Sequence, residues 1–381
     1  MKNQIFIQDR GIVSAINNTK KNIVTECKSG KAKPQTVSLP HSIDKPLPYY
    51  FVDNNHQQRD ADALYDYIKA ATSDAIADAD LSAEEIQKLG IFFGTSSNEI
   101  GVLEKRYQHD LQTVAAPYPL TSNGFGELMA FIADQFNIQG PQYNFITACS
   151  SSANALIYAA QMIRTHKIEH ALVVGTESFN YMSTYGFHAM TLLSEQQCLP
   201  FDARRDGIVL GEGVGAVVLG TRQSANNPYY IKSGANMCDT GGVTSSSPET
   251  ITHVMQQALT RASLSVDDIS AIKAHGTSTV SNDTAEGQAM SMVFNANVPA
   301  FTSLKPYVGH TMGACGTIEL ICLLACLDEG FIPSTPGFSV ADENLHITPL
   351  TDALPYDGGK IMLNFFGFGG NNSTFIISKQ T

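Results

Sequence analysis

Two stretches of this chain are built from small and apolar residues on most of their faces, positions 150–165 and Gly313 to Leu327, and both read as helices. A helix without a polar face is buried on every side rather than laid on a surface. A short strand-like run precedes each one, Tyr143–Thr147 before the first and Ala300–Leu304 before the second. Further strand-like runs follow, Val214–Leu219 after the first helix and Ile361–Phe366 with Ser373–Ile377 after the second. The polar stretch Arg222–Pro228 separates the two sets and predicts two units, 1–224 and 225–381.

An internal repeat supports the same division. With one gap allowed, Leu81–Ser96 and Leu264–Ser278 both read Leu-Ser, two acids, Ile, a short strand and then Gly-Thr-Ser. A serine followed by acids just before an apolar run predicts a capped helix start leading into a strand. Two similar α/β halves, each with a buried helix, imply sheets that sandwich a helical layer.

Composition narrows the function classes. Apolar residues make up 43% and charged residues 16%, which is globular. The formal charge of −12, with no basic tract longer than Lys20-Lys21 or Arg204-Arg205, argues against a nucleic-acid surface. The seven cysteines are odd in number and contain no CxxC pair, so a disulfide framework is not expected and a reducing cytoplasm is. Met1–Arg10 carries charge where a signal peptide would be apolar. The most apolar stretch, Ile318–Leu327, falls well short of the ~20 residues of a membrane span.

Candidate chemistry centres on Cys149. It sits between the apolar run ending at Thr147 and the predicted helix, and a sulfur at a helix start meets free N–H groups that favour thiolate. Downstream, His275 begins His-Gly-Thr-Ser-Thr and His310 ends Lys305-Pro-Tyr-Val-Gly-His. One activated thiol and two glycine-flanked histidines make a nucleophile with two candidate acid/base partners, which predicts an enzyme. A zinc site of Cys149, His275 and His310 has no short ligand spacing, and no metal is expected. Cys322 and Cys326, four apart on an apolar helix, read as packing residues.

Five motifs then occur in order: Thr147-Ala-Cys-Ser150; Phe201-Asp202 with Arg205-Asp-Gly207 and Gly211-Glu-Gly213; His275–Thr279 with Asp283 and Glu286; Lys305 with Gly309-His310; and Asn364–Gly370. Together they resemble the elongating β-ketoacyl-ACP synthases of the thiolase superfamily. The resemblance covers nearly the whole chain and implies a five-layer αβαβα fold from two duplicated halves, and a dimer. It implies that Cys149 takes an acyl chain from an acyl carrier protein thioester, and that His275 and His310 bind the malonyl thioester and promote its decarboxylation. By the same resemblance, Lys305 supports the second histidine and Glu286 is the acid of its network. Thr277 and Thr279 fall in the substrate-binding motif. Gly367, Phe368 and Gly369 fall in a mobile loop whose phenylalanine gates the acyl pocket. No cofactor is implied beyond the phosphopantetheine arm of the carrier.

The chain also departs from that family. It is shorter, mostly through trimmed loops, and Asp53–Asp62 is acidic where the housekeeping enzymes tend to be basic. Arg59, Lys105, Arg106, Arg204 and Arg205 remain as candidate carrier contacts. These departures point toward a specialised type II polyketide or aryl polyene system, in which such a synthase can pair with a chain-length factor. Two other readings stand beside it. A degradative thiolase would want a second cysteine near the gating loop, and Asn364–Asn372 has none. A non-catalytic chain-length-factor-like subunit would lack the nucleophile, and Cys149 is present.

Overall fold

The computed structural model describes residues 4–380 apart from 17–18, 32, 40–44, 54–55, 57–58, 114–123, 225–226, 245–246 and 296. Its central feature is a ten-stranded sheet. The N-terminal strands lie in the order Ile5–Ser14, Gly213–Gly220, His170–Glu177, Gly90–Gly94, Gln142–Phe145. The C-terminal ones run Tyr229–Cys238, Asn371–Lys379, Lys360–Gly367, Ile269–Lys273, Phe301–Thr302. Numbered within each half, the order is the same. So are the directions: two antiparallel pairings on the inner side and two parallel ones on the outer side. The halves join edge to edge where Ile5 and Phe6 pair with Ile231 and Tyr230. The fold is the thiolase-like αβαβα arrangement of two duplicated halves.

The repeat in the sequence lands on equivalent places. The Glu85 carboxylate accepts from the Ser82 N–H at 2.8 Å, and the Asp268 carboxylate accepts from the Ser265 N–H at 2.9 Å. The first copy opens an α-helix, Ala83–Gln87, while the second closes after a 3₁₀ turn, Val266–Asp268. Each then leads into the second strand of its half.

Between the sheet halves lie the two predicted helices, Ser151–Arg164 and Cys315–Asp328, packed against each other. Every residue from Cys315 to Leu327 is buried, as the absence of a polar face requires. Each fully buried leucine or isoleucine there contributes about 1.5–3 kcal/mol relative to exposure. Outside, Ala63–Ala77 covers the N-terminal strands, and Pro248–Ala262 with Val280–Phe294 covers the C-terminal ones. Among the described residues no helix is long and apolar enough to cross a membrane.

This layering sets the site. Cys149 lies between the third strand of the first half and its buried helix, and His310 holds the equivalent place in the second half. His275 follows the second strand of the second half.

Candidate active site

Cys149 sits in a 3₁₀ turn, Ala148–Ser150, entered through Ala148 at φ +50°. A left-handed alanine costs roughly 1–3 kcal/mol and persists where its surroundings fix it. Here they do. The Ser151 hydroxyl donates to the Ala148 carbonyl at 2.7 Å, and the Asn154 amide donates to the Thr147 hydroxyl at 2.9 Å. The Cys315 thiol donates to the Cys149 carbonyl at 2.9 Å. The expectation of a favoured thiolate is corrected. Cys149 is only 5% exposed, and burial pushes its thiol up to about 11, outweighing the pull of Lys305 and of the Phe368 N–H.

One nitrogen of each imidazole and the Cys149 sulfur lie within 4.8 Å of one another. The rings of His275 and His310 meet edge to face at 5.4 Å. Their tautomers follow from their neighbours. The His310 Nδ1 accepts the Met312 N–H at 3.2 Å, and the His275 Nδ1 faces the Lys305 ammonium at 3.3 Å. Both Nδ1 atoms are therefore acceptors, and each ring carries its proton on Nε2. Burial first, then Lys305, holds both imidazoles well below their ordinary value, so they stay neutral. Two neutral N–H donors facing one cavity can stabilise a negative oxygen that develops between them.

The same tautomers disfavour a metal ion. A cation needs an imidazole lone pair, and here both available lone pairs are spent on an N–H and an ammonium. The thiol and two rings do not fit a zinc site.

The support network differs from the one expected. Lys305 contacts His275, the first histidine, rather than His310. Its acid is Glu319, at 2.7 Å, and not Glu286. Burial alone would lower Lys305, but Glu319 turns the shift upward and keeps it an ammonium. Glu286 instead accepts the backbone N–H groups of His275 and Gly276, both at 2.8 Å, and the Asn364 amide at 3.2 Å. Burial raises Glu286 to about 7 against those bonds. It fixes the turn that carries His275. Asp283 does the same for Thr277 and Ser278.

The cavity above Cys149 measures about 50 Å³, and its lining includes His275, His310, Thr277, Thr279 and Phe368. The hydroxyls of Thr277 and Thr279 are 3.0 Å apart, side by side. The Phe368 ring packs on Phe187 at 5.6 Å. Gly367 and Gly369 serve different ends. Gly367 has an ordinary φ of −111°, but a Cβ there would lie 3.0 Å from the Cys149 N and the Thr147 O. Gly369, at φ +74°, is the one whose backbone angle resists a side chain.

Residues 7–225 match the family model of the β-ketoacyl synthase N-terminal domain, and residues 230–339 that of the C-terminal domain. The chain belongs to the β-ketoacyl synthase family. It is thus a condensing enzyme, an acyltransferase of the ketosynthase class. It is 30% identical over 361 residues to 3-oxoacyl-[acyl-carrier-protein] synthase 2 of Rhizobium meliloti, covering 85% of this chain and 83% of that protein. To synthase 1 of Haemophilus influenzae it is 26% identical, covering 97% of each. Among solved structures, a β-ketoacyl synthase from Burkholderia phymatum superposes with a TM-score of 0.87 at 25% identity over the full length of both chains. The ishigamide ketosynthase/chain length factor superposes at 0.87 with 23% identity, also over both full chains. A ketosynthase in complex with its chain length factor from Xenorhabdus doucetiae does so at 0.87 with 24% identity, over 99% of this chain and 98% of that one.

Two residues of this ketosynthase escaped sequence reasoning. Glu319 had a signal, since it is the only charge between Gly313 and Leu327. Lys273, whose ammonium is 2.5 Å from Glu319, stands at a strand end where lysine is ordinary. Two of the candidate basic contacts point inward: Arg59 pairs with Glu212 and Arg205 with Asp342, each at 2.7 Å. Lys105 donates to the Arg59 carbonyl at 3.0 Å. Arg106 and Arg204 stay about half exposed, beside Asp62 and Asp202.

Proposed function

We propose that this chain is a 3-oxoacyl-[acyl-carrier-protein] synthase that lengthens acyl chains by decarboxylative condensation. The observation that carries the reading is the convergence of one thiol and two Nε2–H donors on one cavity, with the Phe368 N–H directed at the same sulfur. In this reading Cys149 attacks an acyl thioester delivered on the phosphopantetheine arm of an acyl carrier protein. The acyl–sulfur bond moves to Cys149, and the Cys149 proton passes to the departing carrier thiol, because neither ring in these tautomers offers it a lone pair. The N–H groups of Cys149 and Phe368 hold the tetrahedral oxyanion.

A malonyl thioester then loses CO₂, and its enolate oxygen takes the two Nε2–H bonds. The carbanion forms a C–C bond to the acyl carbonyl and breaks the bond to Cys149, whose thiolate takes a proton from water. No cofactor or metal enters this scheme. Thr277 and Thr279 hydrogen-bond the pantetheine arm, and Phe368 on its Gly367–Gly369 turn gates acyl entry. The seven free cysteines support a reducing cytoplasmic setting.

The chain works as a dimer in this reading, with itself or with a related chain-length factor. Two of the solved structures above carry the name of such a factor, and the inward-turned Arg59 and Arg205 support a carrier different from the housekeeping one. A type II polyketide or aryl polyene pathway fits that difference, with fatty acid synthesis as the general case. Intact mass of the protein after incubation with a panel of acyl carrier thioesters tests the proposal. An acyl mass increment that maps to Cys149 supports it. No increment with any acyl thioester, in folded protein, overturns it.

A further inference from the structure

Beneath the two histidines lies a group of charges that the scheme above leaves without a purpose. Glu319, fully buried, bridges two fully buried lysines, with Lys305 at 2.7 Å from one oxygen and Lys273 at 2.5 Å from the other. Lys273 also donates to the Asn364 carbonyl at 2.8 Å, and its ammonium lies 3.5 Å from the centre of the Phe365 ring. A carboxylate, a carbonyl and an aromatic face are all partners of an ammonium rather than of a neutral amine. Such a group is costly to bury, and one carboxylate balances only one of the two cations.

We propose that Lys273 is a positioning residue that shares Glu319 with Lys305, leaving one net positive charge buried beneath His275 and His310. Without Lys273, Glu319 would turn wholly to Lys305 and neutralise it, and the ammonium would donate less firmly to the His275 Nδ1. With Lys273 in place, the carboxylate is held between the two cations, and Lys305 keeps a hydrogen free for the ring. The surplus charge disfavours imidazolium at both rings and favours negative charge in the cavity, whether on sulfur or on an enolate oxygen. The other groups facing the two rings are each other, the Phe366 ring against His275, the neutral thiol of Cys149, and Glu286, which accepts from the His275 backbone. Glu286 approaches the main chain, so the net charge on the ring side comes from the two lysines and Glu319.

This inference rests on the two imidazoles being neutral donors, as proposed above, but its test reads ring protonation without any substrate. The full chain is labelled with ¹⁵N-histidine, the His275 and His310 signals are assigned from H275Q and H310Q, and each ring is titrated in four variants. K273M removes a cation and should raise the proton affinity of both rings on the order of tenfold, the size expected of one unit charge acting across a partly screened protein interior. E319Q removes the anion and should move both rings the opposite way. K273R should behave as wild type. The double variant K273M/E319Q restores the wild-type net charge and should bring the midpoints back. The acidic limb of condensation should move with the ring midpoints. If K273M and E319Q shift the rings in the same direction, or if the double variant is displaced further than either single one, the lysine is only packing and the proposal is overturned. K273M failing to fold leaves E319Q and the double variant to decide by the same signs. Ring shifts as expected in a protein that condenses nothing would count against the proposed reaction and not against the charge arrangement.

Discussion

Replacing His310 with alanine removes one of the two Nε2–H donors that face the Cys149 cavity while leaving the thiol and the Phe368 N–H in place. Loss of one donor to a developing oxyanion costs about 10²–10³ in rate, or roughly 2.7–4 kcal/mol of transition-state stabilisation. The Met312 N–H, now 3.2 Å from a ring nitrogen, loses its acceptor in a buried place. That adds about 1–3 kcal/mol of destabilisation, within what a folded protein of ordinary stability tolerates. Because the tautomers give neither ring a lone pair for the thiol, acylation of Cys149 should persist while condensation falls. Intact mass of the acyl-enzyme reads the first step, and β-ketoacyl product from a malonyl thioester reads the second. His275→Ala should split the two steps in the same way. Condensation at the wild-type rate in His310→Ala would refute the reasoning. So would acylation lost as completely as condensation in a protein that still folds, because it would place the ring in the first step.

Cys149→Ala should acquire no acyl group from any carrier thioester, and acylation of that variant by mass spectrometry would remove Cys149 as the nucleophile. Phe368→Ala should let malonyl thioester enter the unacylated enzyme and release CO₂ without product, while Gly369→Val, strained at φ +74°, should slow acyl transfer. If neither variant changes acylation or uncoupled decarboxylation, the turn only packs. Both histidines are held below the unfolded value of about 6.5, so the unfolded chain binds more protons under acid and stability falls as pH drops below that point. Each ring contributes up to about 1.4 kcal/mol per pH unit there. In urea unfolding between pH 5 and 7, His310→Gln should flatten that dependence by one ring's share, and an unchanged slope would mean that His310 is not held neutral.

The duplicated fold was legible because both halves write the same grammar twice, a capped start, a strand and a Gly-Thr-Ser turn, at Leu81 and at Leu264. The meeting of Cys149, His275 and His310 at one cavity was legible because each stands in a glycine- or serine-flanked motif, and the structure brings the three together. Their support was not. Glu286 is eleven residues from His275, and the family resemblance made it the acid of the lysine network, yet its carboxylate points at backbone N–H groups. Glu319 and Lys273 are 46 residues apart, on a helix and a strand, and their pairing at 2.5 Å exists only once the central helix is packed against the sheet. The resting state of Cys149 was misread for a related reason. A helix start favours thiolate locally, but the depth at which this start is buried is a property of the whole fold and outweighs it.

That depth follows from the duplication itself. Cys149 and His310 occupy the same place in the two halves, between a third strand and the start of a buried helix. The two helices pack on each other, so their starts converge, and the thiol of Cys315 at the second start reaches the carbonyl of Cys149 at the first. Each half alone would expose the apolar faces of its central helix and hold only part of the donor set. The geometry of the candidate site is therefore carried by the contact between the halves. The residues that tighten it lie beneath that seam: Glu319 on the second helix, and Lys273 and Lys305 on either side of it. They are the positions where a substitution should change the chemistry without touching the substrate.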